Sequence, residues 1–141
     1  MEIIGKPNIC HIFFISLKGT LIASSLAGIP IMATGGLGGV HRGAENTMDI
    51  SADLTELSRT PVAVVCSGVK KILDVKRTLE VMETNGIAVF TVGDEDHFPD
   101  FYLRNSGYKS PGGAVDIEAA AKILGVNLEL GNFNFNFPFI V

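Results

Sequence analysis

Three short runs of apolar residues, rich in β-branched side chains, are separated by turn-forming residues along the chain. They span residues 29–33, 61–66 and 87–92. Continuous apolar runs of this length are typical of strands that are buried on both faces, as in a parallel sheet. The pattern therefore predicts three buried strands.

The segments around these runs have the apolar spacing of helices. A buried helix is predicted over 21–27, and an amphipathic helix over 116–124, with Asp116 as its N-cap and Gly125 as its stop. A third helix is predicted over 69–83, because apolar residues recur there at steps of three or four; they are Ile72, Val75, Leu79 and Met82. Strand, helix and strand form a βαβ unit, so we expect the α/β class in one domain over residues 1–141.

The composition narrows the class of protein. Of the 141 residues, 47% are hydrophobic and 18% are charged, which excludes an intrinsically disordered chain. The net charge is −4, from 11 basic and 15 acidic residues, and no basic patch is present, so no nucleic-acid partner is expected. Cys10 and Cys66 lack metal-ligand spacing, so neither a zinc site nor a disulfide framework is predicted. Cys66 ends an apolar run and is expected in the core.

Two apolar segments could indicate a membrane span or a signal peptide. Residues 19–40 carry no charge, but six glycines and Pro30 favour a soluble helix and strand over a membrane span. Residues 12–17 could form the core of a signal peptide, but Lys6 is the one basic residue before them and Glu2 opposes it. We expect a cytoplasmic protein without a membrane partner, with organelle targeting left open. Residues 132–137 alternate Asn and Phe, which predicts a strand.

The first candidate site is a glycine-rich loop over residues 33–43. Such a loop exposes backbone N–H groups and lets a ligand approach closely. It fails the dinucleotide fingerprint, because His41 stands where a glycine is needed, and no P-loop Gly-Lys-Ser/Thr follows. His41 and Arg42 favour an anion or phosphate site. The alternative is a mobile turn.

The second candidate is a pair of carboxylates. Asp49 and Asp53 are four residues apart, so they would lie on one helical face, with Ser51 beside them. Hard oxygen ligands with room for waters suit Mg²⁺ or Mn²⁺. The alternative is that Asp53 caps a short helix over 54–57.

The third candidate is Lys70, which the predicted helix over 69–83 places in its first turn. The positive end of the helix dipole disfavours an ammonium there, which would raise the share of free amine. A free amine is what Schiff-base chemistry on a sugar aldehyde requires. The alternative is an ordinary exposed lysine. The acidic cluster over 94–97 is expected to be a solvated surface turn.

These segments, in this order and spacing, closely resemble the pseudouridine-5′-phosphate glycosidase family, also called the indigoidine synthase A family. The similarity covers about residues 27–124. It is carried by residues 33–45, 49–54, 59–66, 68–70 and 72–74, and it continues through Phe98-Pro99, Phe101-Tyr102 and Ser106-Gly107.

The resemblance implies a three-layer α/β/α sandwich with a mixed, largely parallel sheet, assembled as a homotrimer. It implies reversible cleavage of the C–C glycosidic bond of pseudouridine 5′-phosphate to uracil and ribose 5-phosphate. Lys70 would be the nucleophile, forming an imine with the ring-opened sugar, and Asp49 would hold Mn²⁺ or another divalent metal partly through waters. The substrate would be contacted by Ser51, Ala52, Asp53, Thr34, His41 and, in a weakly matching segment, Leu17.

The chain also departs from the family pattern. Family members carry an upstream glutamate proton donor and a second lysine that contacts the sugar phosphate, and this chain begins too late for either. We therefore expect a domain that is incomplete at both ends and weakly active or inactive, because a missing general acid costs about two to four orders of magnitude. The alternatives are a non-catalytic sugar-phosphate or metal-binding relative and an aggregation-prone product of an incomplete gene model.

Overall fold

The computed structural model describes residues 16–93, 96–130 and 139–140. Helices and strands alternate through this part of the chain. In order they are α1 (Leu17–Leu26), β1 (Ile31–Ala33), α2 (Ala44–Thr47), α3 (Ala52–Leu57), β2 (Ala63–Val65), α4 (Val75–Thr84), β3 (Val89–Val92), β4 (Gly112–Ala114), α5 (Ile117–Leu130) and β5 (Phe139–Ile140).

The five described strands form one sheet in the order β1-β2-β5-β3-β4. Every pairing among these strands is parallel, and Phe139 of β5 lies in register with both Val64 and Val89. The α/β class and the largely parallel sheet are therefore confirmed. The antiparallel component expected of a mixed sheet is absent from the five described strands.

The sheet separates two apolar cores, because successive residues of a strand point to opposite faces. Val64 and Val89 lie in the larger core with residues of α1, α3 and α4. Their neighbours Ala63 and Phe90 lie in a smaller core with Ala120 of α5. Helices thus cover both faces of the sheet, which confirms the three-layer arrangement.

The predicted start of the helix over 69–83 was wrong. Asp74 caps α4 by accepting a hydrogen bond from the Arg77 N–H at 3.0 Å, so the helix begins at Val75. Ile72 was assigned to the buried stripe, but it lies before the helix with 69% of its surface exposed, and Leu73 is buried instead. A capping aspartate is therefore the better marker of where this helix starts.

The other boundaries shift for similar local reasons. The first helix begins at Leu17 rather than 21, because Ser16 caps it by accepting from the Gly19 N–H at 3.2 Å. Asp116 accepts from the Ala119 N–H at 2.7 Å, which confirms it as the cap of α5. The stop at Gly125 was wrong, because α5 continues to Leu130.

The three predicted strands are present but shorter, and their burial differs. β2 and β3 lie inside the sheet, as continuous apolar runs predict. β1 is an edge strand, and Ile31 is 43% exposed, so burial on both faces was wrong for this strand. β4 and β5 were not predicted as they stand; the strand predicted over 132–137 lies outside the described residues.

No helix in the described part of the chain is both long enough and apolar enough to cross a bilayer. Parallel pairing places the carboxyl ends of all five described strands at one edge of the sheet. In open α/β sheets, this edge is where ligands bind. The loops that follow β1, β2 and β3 meet there.

Candidate functional site at the carboxyl edge of the sheet

The glycine-rich loop after β1 and the loop after β2 are held together by backbone hydrogen bonds. The Leu37 N–H donates to the Gly68 carbonyl at 2.9 Å, and the Lys70 N–H donates to the Leu37 carbonyl at 3.1 Å. The Ser67 N–H donates to the Gly35 carbonyl at 2.8 Å. Leu37, within the glycine-rich loop, is fully buried, so the relative position of the two loops is fixed by packing as well as by hydrogen bonds.

Lys70 belongs to the loop after β2 and not to a helix. α4 begins five residues later at Val75, so the argument from a helix dipole was wrong. The Lys70 backbone is bonded at both ends, because its carbonyl also accepts from the Leu73 N–H at 2.9 Å. Its side-chain stem runs past Gly36, with Cγ 3.2 Å from the position that a Cβ on Gly36 would occupy. The loop therefore fixes where the stem of Lys70 starts.

The two carboxylates do not share a helical face. Met48 has φ +56° and Asp49 lies before α3, which begins at Ala52. Ser51 is the N-cap of α3, accepting from the Asp53 N–H at 3.2 Å. Both readings of Asp53, as one of a helical carboxylate pair and as the helix cap, were therefore wrong.

The Asp53 carboxylate instead joins two distant segments. Its Oδ2 accepts from the Gly38 N–H at 3.1 Å, and its Oδ1 accepts from the Lys18 N–H at 3.3 Å in the first turn of α1. Helix N-termini favour negative charge, so this arrangement suits a carboxylate. Gly38 is needed because a Cβ there would lie 2.2 Å from Ser51 Oγ. Asp53 thus holds the middle of the glycine-rich loop.

His41 and Asp49 lie beside each other at the far end of that loop. The His41 N–H donates to the Asp49 carbonyl at 3.0 Å, and His41 Nδ1 lies 3.8 Å from Asp49 Oδ2. The Asp49 side chain is 64% exposed. In the part of the chain that the structure describes, no group of three potential ligands surrounds a metal position. Asp49 thus offers one exposed carboxylate, with His41 as its neighbour.

The remaining predicted site residues lie at the ends of β1, α1 and α3. Thr34 is half-buried and donates its N–H to the Val65 carbonyl at 2.9 Å, so it continues the pairing of β1 with β2 by one residue. Ala52 is exposed at the start of α3, and Leu17 packs partly against the core at the start of α1. Arg42 Nη2 donates to the Lys71 carbonyl at 3.3 Å and so links the glycine-rich loop to the Lys70 loop.

A third loop, after β3, completes this edge. The Phe101 N–H donates to the Ser67 carbonyl at 2.8 Å, and Gly68 pairs with Asp100 across an antiparallel bridge. Gly68 has φ +89°, and a Cβ there would lie 2.2 Å from the Pro99 carbonyl oxygen. The sequence placed residues 98–102 within the family resemblance but gave Phe101 no role in the site.

Cys66 lies buried at the base of the Lys70 loop, as predicted. Its Sγ accepts from the Gly68 N–H at 3.1 Å. Burial raises the pKa of the Cys66 thiol from 9.0 to about 12, against a smaller lowering by the Gly68 backbone hydrogen bond. The thiol therefore stays protonated at neutral pH and serves packing.

The raised pKa of Cys66 makes the free energy of unfolding depend on pH in the alkaline range. Between about pH 9 and 12 the unfolded chain loses the Cys66 proton while the folded chain keeps it, so stability falls as pH rises. At 1.36 kcal/mol per pKa unit, the loss approaches roughly 4 kcal/mol at the top of this window. Urea unfolding from pH 8 to 11 should show a steeper decline in the wild type than in Cys66→Ala. Equal slopes would contradict this account.

The structure describes Asp96 and His97 of the acidic cluster after β3, and His97 pairs with Lys109 in an isolated antiparallel bridge. Asp96 is exposed and bonded to Lys109 Nζ at 2.8 Å. The hydrogen bond from Lys109 lowers the pKa of the Asp96 carboxyl. Residues 94 and 95 lie outside the described part. The predicted solvent exposure is therefore confirmed for Asp96, whereas His97 is half-buried.

Comparison with known proteins identifies relatives of this arrangement. The family model described as indigoidine synthase A like protein matches residues 15–136. Pseudouridine-5′-phosphate glycosidase 2 of Rhizobium johnstonii is 52% identical over 116 residues, covering 82% of this chain and 37% of the relative. Pseudouridine-5′-phosphate glycosidase of Sorangium cellulosum is 54% identical over 112 residues, covering 79% and 35%. The chain thus spans little more than a third of these relatives.

Solved structures share the fold. A prealnumycin C-glycosynthase in complex with ribulose 5-phosphate superposes with a TM-score of 0.75 at 33% identity, covering 86% of this chain and 39% of that one. An indigoidine synthase A-like protein from Thermotoga maritima superposes with a TM-score of 0.75 at 34% identity, covering 89% and 40%.

Proposed function

Because the chain belongs to the indigoidine synthase A-like family, we propose that it carries the lysine-bearing part of a pseudouridine-5′-phosphate glycosidase site. The reaction would be reversible cleavage of the C–C glycosidic bond of pseudouridine 5′-phosphate to uracil and ribose 5-phosphate. The observation that supports it most is the placement of Lys70 at the carboxyl edge of the sheet, with its backbone bonded to Leu37 and Leu73. A nucleophile needs this fixed starting point.

Lys70 would act as a nucleophile toward the open-chain sugar. Its amine adds to the C1 aldehyde of ribose 5-phosphate, and loss of one water gives an imine. In the cleavage direction the same imine would hold the sugar after uracil leaves. The side chains of Arg42 and His41, at the end of the glycine-rich loop, would favour the phosphate.

The residues around Lys70 would orient the substrate. Ser51, Ala52 and Asp53 begin α3 directly against the glycine-rich loop, where Ser51 Oγ and the Asp53 carboxylate fill the space that a Cβ on Gly38 would occupy. Thr34, at the end of β1, and Leu17, at the start of α1, would line the remaining sides. Asp53 holds Gly38 and Lys18 through its carboxylate, so its substrate contact would use its remaining acceptor capacity.

A divalent cation, with Mn²⁺ as the expected ion, would be held by Asp49. The exposed Asp49 carboxylate would supply one ligand and waters the rest. When bound, the ion would add positive charge that attracts an anionic substrate. We further propose a cytoplasmic homotrimer.

Reductive trapping tests the role of Lys70 without requiring turnover. The full chain is incubated with ribose 5-phosphate and sodium borohydride, and peptide mass spectrometry locates the adduct. Borohydride donates a hydride to the imine carbon and leaves a stable secondary amine. We expect labelling at Lys70 and none in Lys70→Arg. Lys71→Arg should label normally, and it is a matched control because both lysines are exposed.

Two outcomes would count against this proposal. Labelling spread equally over Lys70, Lys71 and Lys76 would show ordinary glycation of surface amines. Reversible binding of ribose 5-phosphate without any adduct would favour a non-catalytic sugar-phosphate-binding protein. Calorimetric titration with the same ligand distinguishes this binding from no interaction at all.

A further inference from the structure

Phe101 has a backbone conformation that residues with a Cβ rarely adopt. Its φ is +69°, and within the described residues Met48 is the one other non-glycine with positive φ. The left-handed region crowds Cβ against the neighbouring carbonyl, so such a conformation persists where surrounding contacts enforce it. These positions cluster at functional sites.

The contacts that enforce it come from the loop itself and from the Lys70 loop. The Phe101 N–H donates to the Ser67 carbonyl at 2.8 Å. Asp100 is buried and its Oδ1 accepts from the Leu103 N–H at 3.1 Å, which closes a tight turn around Phe101. These bonds hold the backbone of the turn, and the Phe101 ring lies beside Gly35 and Gly36.

The ring and the stem of the proposed nucleophile both lie beside Gly36. Phe101 Cδ2 and Lys70 Cγ lie 2.5 Å and 3.2 Å from the position that a Cβ on Gly36 would occupy. Phe101 Cε2 also lies 3.1 Å from the corresponding position on Gly35. The ring thus lies beside Gly35 and Gly36, and the lysine stem lies beside Gly36 as well. Any side chain at residue 36 would displace one of them.

We propose that Phe101 is a positioning residue for Lys70. Its ring closes one side of the space that the lysine stem can occupy and so keeps the amine directed at the sugar aldehyde. This proposal rests on the proposed imine chemistry of Lys70. It adds a residue from a third loop to the two loops that carry the candidate nucleophile.

The test compares two variants of residue 101, which together distinguish the effect of the ring from the effect of the backbone conformation. Phe101→Gly removes the ring and also relieves the positive φ, so the lost packing and the relieved strain oppose each other and the fold should survive. Phe101→Tyr keeps the ring and the strain. Thermal unfolding of both variants checks that each is folded before any rate is compared.

Trapping with ribose 5-phosphate and borohydride is measured across sugar concentrations. We expect Phe101→Gly to lower the saturating trapping rate at Lys70 about tenfold or more. The half-saturating sugar concentration should stay near the wild-type value, because the ring is not a sugar ligand in this proposal. Phe101→Tyr, which keeps the ring, should show the wild-type trapping rate. A wild-type rate in folded Phe101→Gly would overturn the proposal.

A second measurement needs no sugar. Acetic anhydride acetylates exposed amines, and mass spectrometry gives the acetylation of Lys70 relative to Lys71. We expect this ratio to rise severalfold in Phe101→Gly because the ring no longer confines the stem; an unchanged ratio would overturn the positioning role. Absence of trapping in the wild type would instead refute the imine chemistry, so the two failures are distinguishable.

Discussion

Gly68→Ala is expected to lower the free energy of unfolding by about 3–5 kcal/mol and to abolish trapping at Lys70. Gly68 has φ +89°, which costs a residue with a Cβ about 1–2 kcal/mol. The new methyl group would also lie 2.2 Å from the Pro99 carbonyl oxygen, and backbone cannot move aside as a flexible side chain can. The loop after β3 would have to separate from the Lys70 loop.

Gly107→Ala provides a matched control. Gly107 has φ +88°, almost the same as Gly68, but no atom lies within 4 Å of the position of its Cβ. This variant should lose about 1–2 kcal/mol, the cost of the backbone conformation by itself. Urea unfolding monitored by circular dichroism gives both values. Equal losses in the two variants would show that the contact with Pro99 is unimportant.

Asp53→Ala is expected to cost about 2–4 kcal/mol, because it leaves the Gly38 and Lys18 N–H groups without their acceptor. These bonds join residues that are 15 and 35 positions away along the chain. Their loss should therefore loosen both the glycine-rich loop and the start of α1. Hydrogen exchange at these two amides, measured by NMR, should accelerate together.

Two further variants sharpen this prediction. Asp53→Asn keeps one carbonyl-type oxygen, so it should recover part of the loss and protect one of the two amides. Asp116→Ala removes a carboxylate that caps α5 locally through the Ala119 N–H and should cost about 1 kcal/mol. If Asp53→Ala cost no more than Asp116→Ala, the Asp53 carboxylate would be an ordinary cap.

The sequence was sufficient for the elements whose signal is local. Continuous apolar runs located β1, β2 and β3, and Asp116 marked the start of α5. The apolar spacing located α4 but did not define its start, because Ile72 fitted the spacing although it lies before the helix. Its side chain is exposed, and the capping Asp74 decides where the helix begins. β4 is too glycine-rich to carry a strand pattern.

The sequence predicted which residues belong to the candidate site, but it did not predict the contacts between them. The glycine-rich loop, Asp53 and Lys70 were identified, but their relations depend on pairings between distant segments. Asp53 binds backbone N–H groups of two other segments, which no local spacing reveals. Phe101 is a non-glycine with positive φ, and such a conformation has no sequence signature. Its packing beside Gly36 is likewise a tertiary contact that local spacing does not reveal.

The strand order has a consequence for how the molecule forms during synthesis. β5 lies between β2 and β3, although it is the last described strand of the chain. The β1-β2 and β3-β4 pairs therefore cannot join into one sheet until residues 139–140 have left the ribosome. Pairings between residues so far apart in sequence form slowly, and unpaired strand edges invite association with other chains. Nascent chains should depend on chaperones until the central strand arrives.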